Sequence, residues 1–421
     1  MKLQVAGFLT AISIFCIGTV AAQPPQRHHT LVHSTCPHVP RLSADEDISH
    51  AQDDGSQLRS IAPFEIYSSD SSSHIQLQFA GQLRLEFESR EQGENESGTS
   101  DLYLKARRIR PMLSASLLKS KLTFRLHLST APGSLELMDF YFNYSPRPCL
   151  QLRYGQFKVP FTRYRIESFQ YLTFVDWAIV TKYFGAERQM GFALHNGYEK
   201  PLTWGYVVGI FSGANARASH AIGLPLVYKE EAPNPSDLAD PAKVPSFHPE
   251  IFLHTTYNVN GIRVQSDTDE EGGQLRYMVG FSVARDLDPT AHQDFTLRLA
   301  PELMIKCQGF SFSAVGYAGF AEMGKVAHVN LAMLGGLCQA AYRINSQYEI
   351  SVRYAIVDLS DALINDASST LEREEELTVG FNYYIMGHAL KWQHDAGWLS
   401  HSLSNRSQND YLVRSQFQLT F

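Results

Sequence analysis

Basic side chains recur at alternate positions in many short segments of this 421-residue chain. Alternate residues of an extended strand point to the same side, so this spacing places cations along one face. An arginine guanidinium offers two parallel donors that match phosphate and similar oxyanions, and a lysine ammonium attracts them as a point charge. The residues that could bind anions in this way are Arg84, Lys105, Arg107, Arg125, Arg153, Arg163, Arg165, Arg276, Arg298, Lys306 and Arg353.

The elements that position most of these cations are strands in which apolar and polar residues alternate. In residues 411–421, Tyr411, Val413 and Phe421 share a face, and Arg414 lies on the other. A strand of about ten residues crosses a bilayer at a tilt. The alternation predicts sixteen such strands, an even number that is typical of single-chain bacterial barrels. We therefore expect an all-β fold, a 16-stranded antiparallel transmembrane β-barrel with one or more inward-folded loops.

Composition divides the chain into three parts. Residues 1–22 combine the positive charge of Lys2, an apolar run and small residues up to Ala22, which predicts a cleavable secretory signal peptide. Residues 23–73 have no sustained periodicity and are rich in Pro, Ser, Asp and His. They are predicted to form a loosely ordered periplasmic extension. Residues 74–421 are the predicted barrel domain.

Cysteine and histidine residues raise the question of metal or redox chemistry. Cys307 and Cys338 either form a disulfide in an oxidising compartment or lie unpaired in strands. A cluster in the extension could bind a metal ion, although its spacing matches no firm zinc pattern. This cluster comprises His28, His29, His33, Cys36 and His38. A solvated tail is the alternative interpretation, and the sequence predicts no metal site and no cofactor.

The predicted connections alternate between short and long. Gln308-Gly309 and Met386-Gly387 are tight turns, whereas 159–187 and 213–250 are long. Outer-membrane barrels have short periplasmic turns and longer external loops, and a soluble β-sandwich has no reason to alternate in this way. The segment 260–273 is an exception, because it is longer than a periplasmic turn should be.

The face predicted to line the barrel carries more cations than carboxylates. Other acids, such as those within 267–271 and 374–376, fall in predicted loops. We therefore expect a chain of net charge −7 to place positive charge along its bore, which lowers the barrier for anions. The alternative is that interior arginines form structural ion pairs. The carboxylates predicted on the inner face are Glu86, Glu88, Asp139, Glu302, Glu349 and Asp395.

Two segments resemble the phosphate-selective porin O and P family. They are Arg107-Arg-Ile-Arg-Pro111 and Gly155-Gln-Phe-Lys-Val-Pro-Phe161. The resemblance implies a sixteen-stranded homotrimer of the outer membrane that carries phosphate or related anions. It also implies that residues 162–187 fold into the pore as a constriction and direct Arg163, Arg165 and Lys182 toward the permeating ion. An external cap is the alternative for this loop.

The sequence leaves two details of the resemblance open, the position of the lysines and the phase of the strand that carries the first motif. The family also uses a lysine cluster, and the candidates here are Lys105, Lys121, Lys306 and Lys391. In the first motif, Arg108 and Arg110 have the opposite parity to Lys105 and Arg107, so we expect a bulge or a short strand end.

The expected partners follow from this interpretation. They are small phosphate-like anions, outer-membrane lipid and the outer-membrane assembly machinery, because Phe421 resembles the terminal aromatic that this machinery reads. Nucleic acid is not expected. The alternatives are a general or non-phosphate diffusion channel and a plugged barrel with an adhesive or anchoring role. A barrel enzyme is not expected, because no spacing of Ser, Asp and the histidines indicates a triad; the histidines considered are His127, His195, His254 and His388.

Overall fold

The computed structural model describes residues 64–91, 98–130, 135–200, 202–212, 249–287, 297–323, 329–358, 371–403 and 406–421. The predicted signal peptide and the histidine-rich cluster lie outside these residues. The first strands are β1 (Phe64–Tyr67), β2 (His74–Arg90), β3 (Thr99–Leu117), β4 (Leu122–Ser129), β5 (Glu136–Arg147), β6 (Leu150–Lys158), β7 (Arg188–His195) and β8 (Trp204–Phe211). They are followed by β9 (Glu250–Val259), β10 (Arg276–Asp286), β11 (Leu297–Cys307), β12 (Phe310–Met323), β13 (Val329–Arg343), β14 (Tyr348–Asp358), β15 (Leu371–Met386), β16 (Leu390–Leu403) and β17 (Arg406–Thr420).

Strands β2 to β17 form a closed antiparallel barrel of sixteen strands. Each strand pairs with the next in the chain, and β17 returns to β2 with Arg414 opposite Glu86. Two backbone hydrogen bonds between Phe79 and Phe421, of 2.8 and 3.0 Å, continue this seam to the last residue. The predicted fold class and strand number are confirmed.

The two faces of each strand differ as a membrane requires. On β2, Leu83 and Leu85 are 58 % and 45 % exposed on the outside, whereas Gln82 and Arg84 are 1 % and 2 % exposed inside. An outer surface of exposed aliphatic and aromatic side chains suits lipid, while the polar groups satisfy each other inside. No helix in the described ranges is long and apolar enough to span a membrane. Cys307 and Cys338 are both free thiols.

Strand β1 lies within the segment predicted to be a loosely ordered extension. It pairs with β2 from Phe64 opposite Leu77 to Tyr67 opposite His74. Because β3 already occupies the other edge of β2 here, β1 takes the edge that β17 leaves at Phe421. This strand could not be predicted from the sequence, since four residues are too few to show a period.

The connection between β6 and β7 (159–187) folds into the barrel. It contains two short helices, Arg163–Ile166 and Val180–Phe184, and a 3₁₀ turn at Phe169–Tyr171. Its apolar side chains join a core with the inner wall, where the Phe184 ring stacks on Tyr317 with centroids 5.1 Å apart. We call this segment the inward loop. The prediction that it enters the barrel is confirmed, and an external cap is excluded.

Gly155, in the motif before the inward loop, allows a close approach between strands. Its φ is +132°, and a Cβ atom would lie 2.2 Å from the Phe140 carbonyl oxygen. A side chain at this position would therefore separate β5 from β6.

The connection between β9 and β10 (260–275) also turns into the barrel, and we call it the strap. Ile262 and Val264 are buried against Met278 and Met304. Lys306 donates to the backbone oxygens of Arg263 and Ser266, both at 2.8 Å. The strap is long because it must reach from the end of the barrel to interior partners.

Candidate functional site

Three arginines from β2 and β3 converge on one carboxylate of the inward loop. Arg108 Nη2 lies 2.8 Å from Asp176 Oδ1, and Arg84 Nη1 and Arg107 Nη2 lie 3.2 and 3.4 Å from Oδ2. Beside them, Lys105 bonds Glu86, which also contacts Arg84. The sequence indicated Arg84, Lys105 and Arg107, and the structure brings all three together.

A bulge in β3 places these cations on one side. Gln82 faces Arg108 and Leu83 faces Ala106, which leaves Arg107 as the extra residue. Lys105 before the bulge and Arg108 and Arg110 after it then all point inward, although their positions in the sequence have opposite parity. The expected bulge is therefore confirmed.

Aromatic side chains of the inward loop cover the arginines of β3. Arg108 and Arg110 lie over the Phe169 ring with centroid distances of 5.2 and 4.6 Å. Arg165 and Lys158 lie over the Trp177 ring, 4.6 and 5.2 Å from its centroid. Guanidinium groups are attracted to the negative face of such rings, so the loop and the wall bind through charge as well as packing.

Sequence reasoning did not assign Asp176 or Lys158, although both belong to this region. Burial opposes ionisation of Asp176, but Arg108, Arg84 and Arg107 outweigh it and hold the pKa of this carboxyl well below its usual value. Asp176 had no distinguishing spacing in the sequence. Lys158 lies in the Gly155–Phe161 motif and donates to the Glu167 carbonyl at 2.7 Å, so the motif was the available signal for it.

Three other predicted residues on the wall form buried or partly buried ion pairs. Arg153 makes a bidentate pair with Glu199, through contacts of 2.9 and 3.2 Å. Arg298 pairs with Glu250. Arg353 Nε donates to Glu376 at 2.9 Å, and its Nη1 donates to the Asp176 carbonyl at 2.9 Å.

The cations of the inward loop and the strap region are also paired. Arg163 contacts Glu167 at 2.6 Å and Asp267 of the strap at 3.1 Å, and Arg165 pairs with Glu187. Arg276 pairs with two strap carboxylates. The inward loop was expected to direct Arg163 and Arg165 at the permeating ion, but both side chains are buried. Lys182 remains exposed, 3.5 Å from Glu374.

The distribution of acids differs from the expectation that most lie in loops away from the bore. Glu374 and Glu376 belong to β15 and are buried inside the barrel. The strap carries Asp267 and Asp269 into the interior, where they neutralise arginines. For these four carboxylates the expectation was wrong, because strand parity and the inward path of the strap place them inside the barrel.

The candidate lysine cluster is dispersed. Lys306 holds the strap, Lys391 donates to Leu172 of the inward loop at 2.9 Å, and Lys105 pairs with Glu86. Lys121 is exposed in the turn between β3 and β4. The structure therefore does not bring these four ammonium groups to one point.

Three cations of one wall keep contact with the open interior. The Lys105 and Arg107 side chains are 37 % and 41 % exposed. Arg125, opposite Tyr141, is half-buried, and its Nη2 lies 3.3 Å from the sulfur of Met112. Within the described residues Arg125 has no carboxylate partner. We call Lys105, Arg107 and Arg125 the cationic wall.

The four histidines considered for catalysis have structural partners. His127 bonds Asp139 at 2.7 Å, His195 bonds Asn143 at 2.7 Å and His254 bonds Ser282 at 2.8 Å. His388 contacts Glu270 of the strap at 2.9 Å. No group of three or more potential metal ligands occurs in the part of the chain that the structure describes.

Among solved structures, the outer membrane channel DcaP of Acinetobacter baumannii is similar with a TM-score of 0.55 and 13 % identity. The match covers 86 % of this chain and all of that chain. The fold is that of an outer-membrane channel. OprB of Pseudomonas putida is also similar, at a TM-score of 0.49 and 11 % identity over 82 % of this chain and 94 % of that chain. No protein-family model and no curated protein matches the sequence, so membership of the phosphate-selective family stays a prediction.

Proposed function

We propose that this chain is an outer-membrane porin through which small anions, phosphate-like oxyanions among them, diffuse passively. The observation that carries the proposal is the cationic wall, whose three side chains remain accessible inside a closed barrel. The fold shared with an outer-membrane channel supports transport, and the choice of anions rests on these cations.

The electrostatic reason is the imbalance between accessible charges on the strands. The side chains of Glu86, Asp139 and Asp395 are at most 11 % exposed, and each carboxylate is paired with a neighbouring basic side chain. Accessible cations lower the free energy of an anion in a narrow polar bore and raise that of a cation. Glu199 and Glu271, whose side chains are 42 % and 38 % exposed, lie in the β7–β8 connection and the strap and not on the strands.

A plugged barrel with an anchoring or adhesive role is the second candidate. The inward loop and the strap both occupy the interior and bond each other, because Arg163 contacts Asp267 at 3.1 Å and Asp267 N donates to the Tyr171 carbonyl at 3.4 Å. A barrel filled in this way would pass little current. A general or non-phosphate diffusion channel would pass current with no effect of added phosphate.

The location and assembly belong to the same proposal. We infer export by the signal peptide 1–22, an extension formed by 23–73, insertion through recognition of Phe421, and a homotrimer of barrels 74–421. The lipid-compatible outer face supports membrane insertion. The trimer rests on the sequence resemblance alone.

Conductance of the purified protein in planar bilayers tests the function. We expect discrete channels and a reversal potential in a KCl gradient that indicates chloride preference. Millimolar phosphate should reduce the chloride current. Absence of channels would favour the plugged barrel, a cation-selective reversal potential would contradict the proposal, and an unaffected chloride current would leave a general anion channel.

A further inference from the structure

Asp176 occupies the point where the arginines Arg84, Arg107 and Arg108 of β2 and β3 meet, as a bound anion would. Its Oδ1 accepts from Arg108 at 2.8 Å, and its Oδ2 accepts from both terminal nitrogens of Arg84 at 3.2 and 3.3 Å. Arg107 approaches Oδ2 at 3.4 Å from the accessible side. Paired donors of several guanidinium groups are the arrangement that oxyanions select.

Two of the arginines, Arg84 and Arg108, hold their positions through contacts that do not involve Asp176. Arg84 donates to Gln416 at 3.0 and 2.8 Å and to the Val175 carbonyl at 3.1 Å. Arg108 donates to Gln82 at 2.8 Å and lies 5.2 and 5.4 Å from the ring centroids of Phe169 and Trp177. Arg84 and Arg108 are therefore preorganised, and their donors would remain convergent if the carboxylate left.

The local charges leave this cage with a positive excess. Four cations, Arg84, Lys105, Arg107 and Arg108, share two carboxylates, Glu86 and Asp176, in the ion pairs of this cluster. Arg108 Nε is in addition a buried donor with no hydrogen-bond partner in the described chain. One tethered carboxylate does not satisfy the site.

The backbone at Asp176 has contacts of its own, separate from those that its carboxylate makes with the arginines. Arg353 holds the Asp176 carbonyl at 2.9 Å, and the Val175 amide donates to Asp395 at 3.1 Å. The carboxylate itself is 18 % exposed, and Arg107 beside it is 41 % exposed. Rotation of this one side chain would open the cage toward the barrel interior.

We propose that the cage of Arg84, Arg107 and Arg108 is an oxyanion-binding site that the chain fills with its own Asp176 carboxylate. A permeating phosphate or sulfate binds by displacing that carboxylate, which returns when the anion leaves. The inference rests on the proposed function, and it names the site and the step at which the anion exchanges. The tethered competitor weakens the resting affinity, so that the cage releases each anion instead of trapping it.

Sulfate block of the chloride current tests this displacement. The variant Asp176→Asn removes the competing charge at nearly constant size. Because a tethered group competes at an effective concentration of about millimolar or more, the half-blocking sulfate concentration should fall at least about tenfold. The matched control is Glu199→Gln, which removes one carboxylate from a single arginine, Arg153, at the barrel end.

Each outcome decides the inference. A tenfold change in Asp176→Asn with less than about a twofold change in Glu199→Gln supports the cage. Equal changes in both variants would show a general effect of charge, and no change in Asp176→Asn would show that Asp176 is no competitor. Either result overturns the proposal.

A second readout separates this inference from the proposed function. If neither the wild type nor Asp176→Asn conducts chloride, the porin proposal fails. The cage can still be tested by sulfate binding to the detergent-solubilised barrel. The measurement is the thermal midpoint of unfolding in sulfate, compared with that in chloride at equal ionic strength. Sulfate should raise the midpoint of Asp176→Asn more than that of Glu199→Gln. If Asp176→Asn does not fold, Arg107→Gln decides: it should raise the half-blocking sulfate concentration about threefold, and an unchanged value refutes the cage.

Discussion

Arg125 differs from the other predicted anion-binding arginines because it forms no ion pair with a carboxylate of the described chain. Arg153, Arg163, Arg298 and Arg353 each lie against an acid and are buried. An accessible, unpaired guanidinium acts on passing ions at full charge, whereas a paired one contributes mainly to the fold. At the residue scale, selectivity therefore depends on few positions.

Arg125→Glu should shift the permeability ratio toward cations. A unit charge at 4 Å is worth about 1 kcal/mol in water, so reversal of the sign should change the ratio roughly threefold to tenfold after screening by salt. The reversal potential in a KCl gradient measures this. Lys200→Glu, with the same charge change in the exposed connection between β7 and β8, should have a smaller effect. Equal shifts in the two variants would argue against a role for the wall.

At the scale of elements, the inward loop and the strap determine what remains of the bore. They enter between different strands and are fixed to each other by Arg163 and Asp267. Each also has its own contact with the wall. Phe184 of the loop stacks on Tyr317 of β12, and Lys306 of β11 donates to the backbone of the strap. The loop should therefore be displaceable without loss of the barrel.

Gly335→Ala tests the loop anchor. Gly335 faces inward, and a Cβ atom there would lie 2.4 Å from the Phe184 ring. The clash should displace that end of the loop, cost about 1–3 kcal/mol of packing and give a larger or noisier conductance. Gly336→Ala is the control, since its nearest atom is the Val315 oxygen at 3.5 Å. If the two variants have the same conductance and thermal midpoint, Phe184 does not anchor the loop.

Two glutamates of the inward loop should give opposite pH dependence. Burial and the adjacent Asp267 hold the pKa of Glu167 well above its usual 4.5, whereas Arg165 overcomes burial and lowers the pKa of Glu187. The folded state thus retains a proton on Glu167 that the unfolded chain has lost above pH 4.5. Stability from this group falls as pH rises through that window, by at most about 1.4 kcal/mol per pH unit.

Thermal midpoints of Glu167→Gln and Glu187→Gln between pH 3 and 8 measure this dependence. Relative to wild type, Glu167→Gln should gain stability as pH rises from about 5 toward 8. Glu187→Gln should be less stable than wild type near neutral pH, and the difference should shrink below about pH 4, where wild-type Glu187 takes up its proton. Parallel curves for both variants would contradict the assignment of a protonated Glu167.

At the scale of the whole molecule, closure of the barrel depends on the seam between β17 and β2. The Phe421 ring stacks on Phe79 with centroids 5.4 Å apart, and the backbones of the two residues exchange hydrogen bonds. Closure removes free strand edges, which lipid cannot satisfy. Strand β1 continues that protection on the edge of β2 beyond the last residue.

Phe421→Ser should lower the yield of folded barrels in the outer membrane and leave the single-channel conductance unchanged. The reason is that Phe421 lies at the outer seam, away from the cationic wall. Folded yield and bilayer recordings measure the two quantities. Phe417→Ser, on the same outer face within β17, separates loss of lipid contact from loss of the terminal aromatic. A wild-type yield would argue against recognition of Phe421.

The family resemblance indicated the inward loop. The strand pattern by itself determined the barrel, its sixteen strands and the inward parity of Arg84, Arg125, Arg153 and Arg353. A period of two is a local property of each strand, so it can be read without knowing the neighbours. Only the tertiary structure decided which of these cations stay accessible. Asp176, Asp267 and Glu376 reach their arginines across 68, 104 and 23 residues of chain. Such pairing depends on how loops enter a closed cylinder, and no local pattern encodes that path.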